Sequence, residues 1–288
     1  SKPVLNHLTE EKGFEGLIFT DALNMRGVAD LFPPGKVDLE ALKAGNDVLL
    51  FAEDVPRAIS EIKLALKDGS LDTAWVETRI KKILAAKYWL GLNQKTRVEP
   101  SVLDAKLHRT EDRILNRRIF EKATTLLVNR DKTLPIKDLR GLKIASLSMG
   151  TDISPVFSNT LKKYTQVDHF EYRAGQEESI MQALADYDQV IVSVYSSNAS
   201  PWKSYKVAEE HKRFIRRIAL QNKMIITIFS NPYSLRDFPE AQKGQALLMA
   251  YQNHPDAEEA AAQIIFGALP ALGRLPVSPG APFEAGFG

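Results

Sequence analysis

Cysteine is absent, which excludes disulfides, thiolate zinc sites and a cysteine nucleophile but leaves the compartment open between periplasm and cytoplasm. Histidine is scarce: His7, His108, His169, His211 and His254 stand without His-x-x-x-His or Glu-x-x-His spacing. A metal centre therefore has no visible ligand set, and neither metal nor cofactor is expected. Net charge is almost nil. Thirty-eight basic residues against thirty-six acidic ones leave +2, so nucleic acid and anionic surfaces are not expected partners. No run approaches the ~18 apolar residues of a membrane span, and Ser1-Lys2-Pro3-Val4-Leu5 shows neither a signal peptide nor an initiating Met. No Gly-x-Gly-x-x-Gly or Walker segment follows a strand-like run, so no nucleotide site is marked.

What is present is an ordinary globular composition, 44% hydrophobic over 288 residues, enough for two domains. Val4 to Glu11 is amphipathic, and Glu15 to Phe19 is a short apolar run ending at Thr20-Asp21. A helix around Leu39 to Ala44 stops at Gly45, and a second strand follows from Asp47 to Phe51. Two amphipathic helices are expected over Val55–Lys67 and from Val76 to Leu90. Residues 93–113 mix charge, Pro100 and few apolar anchors, as an interdomain connection does. Beyond it, strand-like runs at Lys143–Leu147, Asp168–Tyr172, Gln189–Tyr195, Met224–Phe229 and Ala246–Tyr251 alternate with helical patterns. Such alternation predicts a mainly parallel sheet covered by helices on both faces. Pro279 to Gly288 is rich in Pro and Gly and reads as a linker cut short.

The chemistry-bearing stretch is Gly13-Phe14-Glu15-Gly16-Leu17-Ile18-Phe19-Thr20-Asp21-Ala22-Leu23-Asn24-Met25, where an apolar strand delivers a carboxylate to its C-terminal end. A carboxylate so placed can attack an anomeric carbon if a second group serves as acid and then base. By spacing alone, an Asp closing a strand before a helix is more often a cap or turn residue. The segment, however, resembles the glycoside hydrolase family 3 signature around the catalytic nucleophile at the end of the barrel's seventh strand. Downstream, Ala41-Leu42-Lys43-Ala44-Gly45-Asn46-Asp47-Val48-Leu49-Leu50 resembles that family's entry to the eighth strand. Leu126-Leu127-Val128-Asn129 with Leu134-Pro135 resembles the opening of its C-terminal domain, and Gly273-Arg274-Leu275-Pro276-Val277 the closing signature.

The resemblance implies an α/β fold: a partial (β/α)8 barrel, its last two βα units over residues 1–100, a linker over 101–118, an α/β/α sandwich over 119–278 and a tail over 279–288. It implies a retaining glycosidase with Asp21 as nucleophile, and Asn24 and Met25 contacting substrate. Ala22, where the β-glucosidase branch carries Trp, is similar to the β-N-acetylglucosaminidase branch, so the expected partner is a terminal β-linked N-acetylglucosaminide, in glycosides or peptidoglycan fragments. In that branch a loop His paired with an Asp supplies the proton, from barrel strands that precede this segment. The chain is therefore expected to be silent alone and to form a homo-oligomer through exposed barrel strands, with a β-lactamase-like domain following in the parent. The competing readings are a non-catalytic interaction module and a β-glucosidase using a Glu of the second domain.

Three other features have plainer explanations. His211-Lys212-Arg213-Phe214-Ile215-Arg216-Arg217 reads as the solvated face of an amphipathic helix. Tyr195-Ser196-Ser197-Asn198 and Phe229-Ser230-Asn231-Pro232 close strands with small polar residues, where open α/β sheets bind ligands but turns also need such residues. His254-Pro255-Asp256 reads as a helix start rather than as an acid/base.

Overall fold

A computed structural model describes residues 1–94, 99–196 and 205–288. The chain divides into two units, Ser1–Pro100 and Ser101–Gly288.

In the first unit, helix α1 (Lys2–Asn6) passes into a π-helical turn, and strand β1 (Phe19–Ala22) is followed by the short α2 (Arg26–Ala29). Helix α3 (Lys36–Ala44), strand β2 (Val48–Leu50), α4 (Val55–Lys67) and α5 (Thr73–Trp89) complete it. Strands β1 and β2 form a two-stranded parallel sheet. Gly45 ends α3 with φ 120°, a conformation that costs glycine little. Asp54 and Asp72 cap α4 and α5 by accepting from the N–H groups of Arg57 (3.0 Å) and Ala74 (3.1 Å). The small core joins Leu39 and Leu42 of α3 to Ala65 of α4 and Leu71, with Ile62, Trp75 and Val76 packed against it. Large apolar side chains remain uncovered, among them Phe19, Phe51, Ile80, Leu84, Tyr88 and Trp89.

The second unit holds α6 (Leu103–Leu107), α7 (Thr110–Ala123), β3 (Thr125–Asn129), β4 (Ile144–Gly150), α8 (Val156–Leu161), β5 (Val167–Glu171) and α9 (Glu177–Leu184). It continues with β6 (Gln189–Tyr195), α10 (Glu209–Gln221), β7 (Lys223–Phe229), β8 (Ala246–Met249) and α11 (Pro255–Ile265). The sheet order is β3-β8-β7-β6-β4-β5, parallel except for β3, which runs antiparallel along β8. Period-two alternation sends Leu147, Val192 and Ile226 to the face covered by α9 and α10. It sends Ile144, Ile191 and Ile225 to the opposite face, against Phe157 of α8 and Ala257, Ala261 and Ile265 of α11.

Several expectations need correction. The first strand lies at Phe19–Ala22 rather than Glu15–Phe19, because side chains, not a neighbouring strand, take the hydrogen bonds of Gly16 and the Ile18 N–H. Residues 101–118 are not an irregular linker, and the connection expected over 93–113 runs into the same elements: α6 and the first part of α7 lie there, and α7 continues to the buried Phe120. Residues 279–288 fold back: Leu275 N–H donates to Phe287 O (2.8 Å), Gly286 N–H to Leu275 O (2.8 Å), and Phe283 is buried. Lys212 is buried on α10 and paired with Glu209 at 2.7 Å, so it is not part of a solvated face. Ser197 and Asn198 lie outside the described residues.

Candidate active site

Asp21 is the third residue of β1, and the alternation of that strand exposes Phe19 and Asp21 while half-burying Thr20 and Ala22. In the pairing with β2, Phe19 lies opposite Val48 and Ala22 opposite Leu50, so three steps on β1 face two on β2. One residue is extra. Bulges of this kind bend the strand and re-aim side chains, and they are frequent beside active sites. At the bulge the Thr20 hydroxyl accepts from Leu50 N–H (2.9 Å), and beyond it Leu23 N–H donates to Leu50 O (3.0 Å). The Asp21 carboxylate uses one oxygen, Oδ1, to accept from Ala22 N–H at 2.7 Å. Its Oδ2 takes no hydrogen bond from the described residues, and no described cation pairs with it. An acceptor-only carboxylate with one oxygen pinned and the other open is what a nucleophile needs before substrate arrives.

The turn after β1 closes through Met25 N–H to Ala22 O (3.3 Å) and presents Asn24 and Met25 to solvent, Met25 at 52% exposure. Asp21, Asn24 and Met25 thus share one exposed turn, with no side-chain hydrogen bond between them. Among the described residues no group of three or more His, Asp or Glu is placed to hold a metal ion.

The strand carrying Asp21 is anchored from below by a buried carboxylate. Asp47, its side chain fully buried, accepts from Ile18 N–H (2.8 Å) and Lys82 Nζ (2.8 Å), and Arg79 approaches its other oxygen at 3.4 Å. Lys82 also donates to Gly16 O (2.8 Å), and Arg79 stacks over Trp75, 4.4 Å from the ring centroid. Asp47 N–H and Val48 N–H both reach Ile18 O, at 2.8 and 3.1 Å. Sequence motifs included Asp47 but not Lys82 or Arg79, whose only signal is two cations three residues apart on a helix otherwise rich in apolar side chains. Asp38 on α3 is also wholly buried, with neither carboxylate oxygen hydrogen-bonded among the described residues.

With the geometry in place, comparison with known proteins is decisive at the level of family. Residues 1–86 match the glycosyl hydrolase family 3 N-terminal domain, and residues 124–282 match the glycosyl hydrolase family 3 C-terminal domain. The chain belongs to glycosyl hydrolase family 3. A curated relative, a beta-N-acetylglucosaminidase/beta-glucosidase of Cellulomonas fimi, is 22% identical over 96% of the family 3 chain and 52% of its own length. Among solved structures, a family 3 beta-N-acetylglucosaminidase from Paenibacillus sp. str. FPU-7 aligns with a TM-score of 0.68 at 21% identity, over 92% of this chain and 52% of that one. Beta-glucoside phosphorylase BglX aligns with a TM-score of 0.79 at 22% identity, over 98% and 53%. The chain spans about half the length of these relatives. At such identities the structural likeness establishes the fold alone.

Proposed function

We propose that the family 3 protein carrying this chain is a retaining glycosidase that removes terminal β-linked N-acetylglucosamine, with Asp21 as its nucleophile. The observation that carries the reading is the exposed Asp21 carboxylate at the bulged end of β1, one oxygen held and the other open. In the first step Asp21 Oδ2 bonds to the anomeric carbon as the glycosidic C–O bond breaks, and an acid gives its proton to the departing oxygen. In the second step water attacks the same carbon, its proton passes to the conjugate base, and Asp21 is released. Ala22-Leu23-Asn24-Met25 leaves no Trp beside the nucleophile, which favours the N-acetylglucosaminide over the glucoside. The Cellulomonas fimi relative, whose name joins both activities, agrees with either sugar.

The acid/base lies beyond this chain in the proposal. Within the described residues no imidazole or carboxylic acid is hydrogen-bonded to Asp21, and the chain by itself is proposed to be silent. The test is hydrolysis of aryl β-N-acetylglucosaminide and aryl β-glucoside by a protein that joins this chain to a complete family 3 barrel. Preference for the N-acetylglucosaminide is expected. Preference for the glucoside overturns the sugar assignment, and full activity after Asp21→Ala overturns the role of Asp21.

A further inference from the structure

The six-stranded sheet of the second unit ends in two unlike edges. At one of them β3 is entered directly from α7, and the returning tail closes on its start through Gly273 N–H to Thr124 O (3.2 Å). At the other, β5 pairs with β4 alone, and among the described residues no strand lies on its far side. Open edges are commonly blunted by a bulge, a Pro or a Lys. Strand β5, Val167-Asp168-His169-Phe170-Glu171, has none of these and follows β4 without a register shift along its whole length.

The ladder fixes which groups point outward. Tyr172 N–H donates to Ser148 O at 2.8 Å, toward β4. By the period of two, Asp168 and Phe170 also turn their backbone groups to β4, whereas Val167, His169 and Glu171 present theirs to the open side. The side chains divide in the same way. Val167 and His169 lie on the face covered by α8 and α11, with His169 Nδ1 3.3 Å from Ser146 Oγ, while Phe170 and Tyr172 pack on the face of α9 and α10. Beside the edge is a hollow of about 510 Å³, to which α9 contributes Gln176, Ser179, Ile180 and Ala183, none of them charged. A second helix can approach that side of α9 without meeting a like charge.

A second copy of the chain fits this edge best in one register. Antiparallel pairing about a two-fold axis must set outward residues opposite outward residues, so the axis passes through a residue rather than between two. An axis at Asp168 or at Glu171 puts like carboxylates face to face. An axis at Val167 leaves the second half of the strand without a partner, and one at His169 sets Asp168 against Phe170 and Glu171 against Val167. An axis at Phe170 avoids all of these. It opposes Phe170 to its own copy, His169 to Glu171 twice, and Asp168 to Tyr172, so that an aromatic pair and two imidazole–carboxylate pairs form and no like charges stand opposite.

We propose that β5 is an interaction edge for a second copy of the chain, joined antiparallel about a two-fold axis at Phe170, so that two six-stranded sheets become one. The lack of cysteine makes the register directly testable. In the full chain, Phe170→Cys places two thiols at a non-hydrogen-bonded pair with Cα atoms roughly 4.5 Å apart, inside the roughly 4.4–6.8 Å that a disulfide spans. Asp168→Cys displaces them by four residues along the pair, roughly 13 Å. Under mild oxidation with copper phenanthroline in air, Phe170→Cys should form a covalent dimer at least roughly tenfold faster than Asp168→Cys. A second measurement needs no substitution. Hydrogen exchange at the His169 and Glu171 amides should slow as the concentration of the unsubstituted chain rises, because those groups become bonded across the axis, while the Phe170 amide, already bonded to β4, should change less. Equal or faster cross-linking of Asp168→Cys overturns the proposal, and so does exchange at His169 and Glu171 that does not respond to concentration. Both readouts lie in β5, so association through the first unit does not reproduce them, and neither depends on the role of Asp21.

Discussion

Asp47 and Lys82 meet at 2.8 Å beneath the strand that carries Asp21, joining residues thirty-five apart in sequence through a carboxylate with no solvent exposure. The pair binds both edges of the strand entry, Ile18 N–H through Asp47 and Gly16 O through Lys82. Three residues later the chain emerges as Asp21. The placement of the candidate nucleophile is thus tied to an ion pair, with a buried carboxylate, at the N-terminal ends of β1 and β2.

Breaking that pair is expected to be costly. Removing one partner of a buried ion pair leaves an uncompensated charge and typically costs about 3–5 kcal/mol. Lys82→Met should therefore destabilise the first unit by about that amount, with Arg79 at 3.4 Å offsetting part of it. Hydrogen exchange at the Ile18 amide checks this: protection should fall in Lys82→Met and in Asp47→Ala, and fall less in Asp47→Asn, whose amide oxygen still accepts from Ile18.

Gly150→Ala should destabilise the second unit more than an exposed glycine substitution such as Gly175→Ala. Positive φ alone costs a non-glycine residue about 1–3 kcal/mol, and the added Cβ would also overlap Tyr195 O. At Gly175, φ is +84° but no atom lies within 4 Å of the new Cβ. Denaturation midpoints of the two variants give the comparison.

Acidification should weaken the second unit. Burial lowers the pKa of His169 and of His211 below the usual 6.5. Above about pH 6.5 both are neutral whether the chain is folded or not. Below it the unfolded chain takes up protons that the folded unit refuses, so stability falls with pH. Burial raises the pKa of Glu258, which acts with the opposite sign: the folded form keeps that proton to higher pH, and the associated stability is lost as pH rises. Denaturation between about pH 7 and pH 5 should show the decline, and His211→Gln should flatten it.

Self-association of the chain is a further expectation. Phe19, Phe51, Tyr88, Trp89 and Leu90 are exposed at 54–84% on the first unit, and β1–β2 is a two-stranded sheet with free edges. Open edges and uncovered apolar area recruit partners. Light scattering should show a mass above one chain, rising with concentration; a monomer at all concentrations contradicts it.

Much of this fold was legible because local signals agreed. Gly45 after Ala44 marked the end of α3, helical spacing gave α4 and α5, and apolar runs gave β4 through β8. What escaped depends on partners distant in sequence. The displaced start of β1 follows from Asp47 and Lys82 capturing Gly16 and Ile18, which no window around residue 15 contains. Strand β3 is a five-residue antiparallel edge entered directly from α7, and its apolar stretch is too short to separate from the helix before it. The tail's Pro and Gly content reads as a linker, yet Phe283 and Phe287 pack edge-to-face at 5.6 Å and seat it on the second unit. At the candidate site, Asp21 was legible only through a long motif. The bulge that re-aims it depends on pairing with β2.

The chain alone should show no measurable hydrolysis of an aryl β-N-acetylglucosaminide, since loss of general acid/base assistance typically costs about 100- to 10,000-fold before any loss of binding. Turnover comparable to that of a complete family 3 protein would reveal an acid within residues 1–288.

The central claim, that Asp21 is the nucleophile, is tested most directly by trapping the covalent intermediate. A complete family 3 protein containing this chain would be treated with a fluorinated glycosyl fluoride and digested, and the labelled residue located by mass spectrometry. The sugar is expected on Asp21, with Asp21→Ala neither labelled nor active. A label on any other residue, or undiminished turnover in Asp21→Ala, would contradict the account.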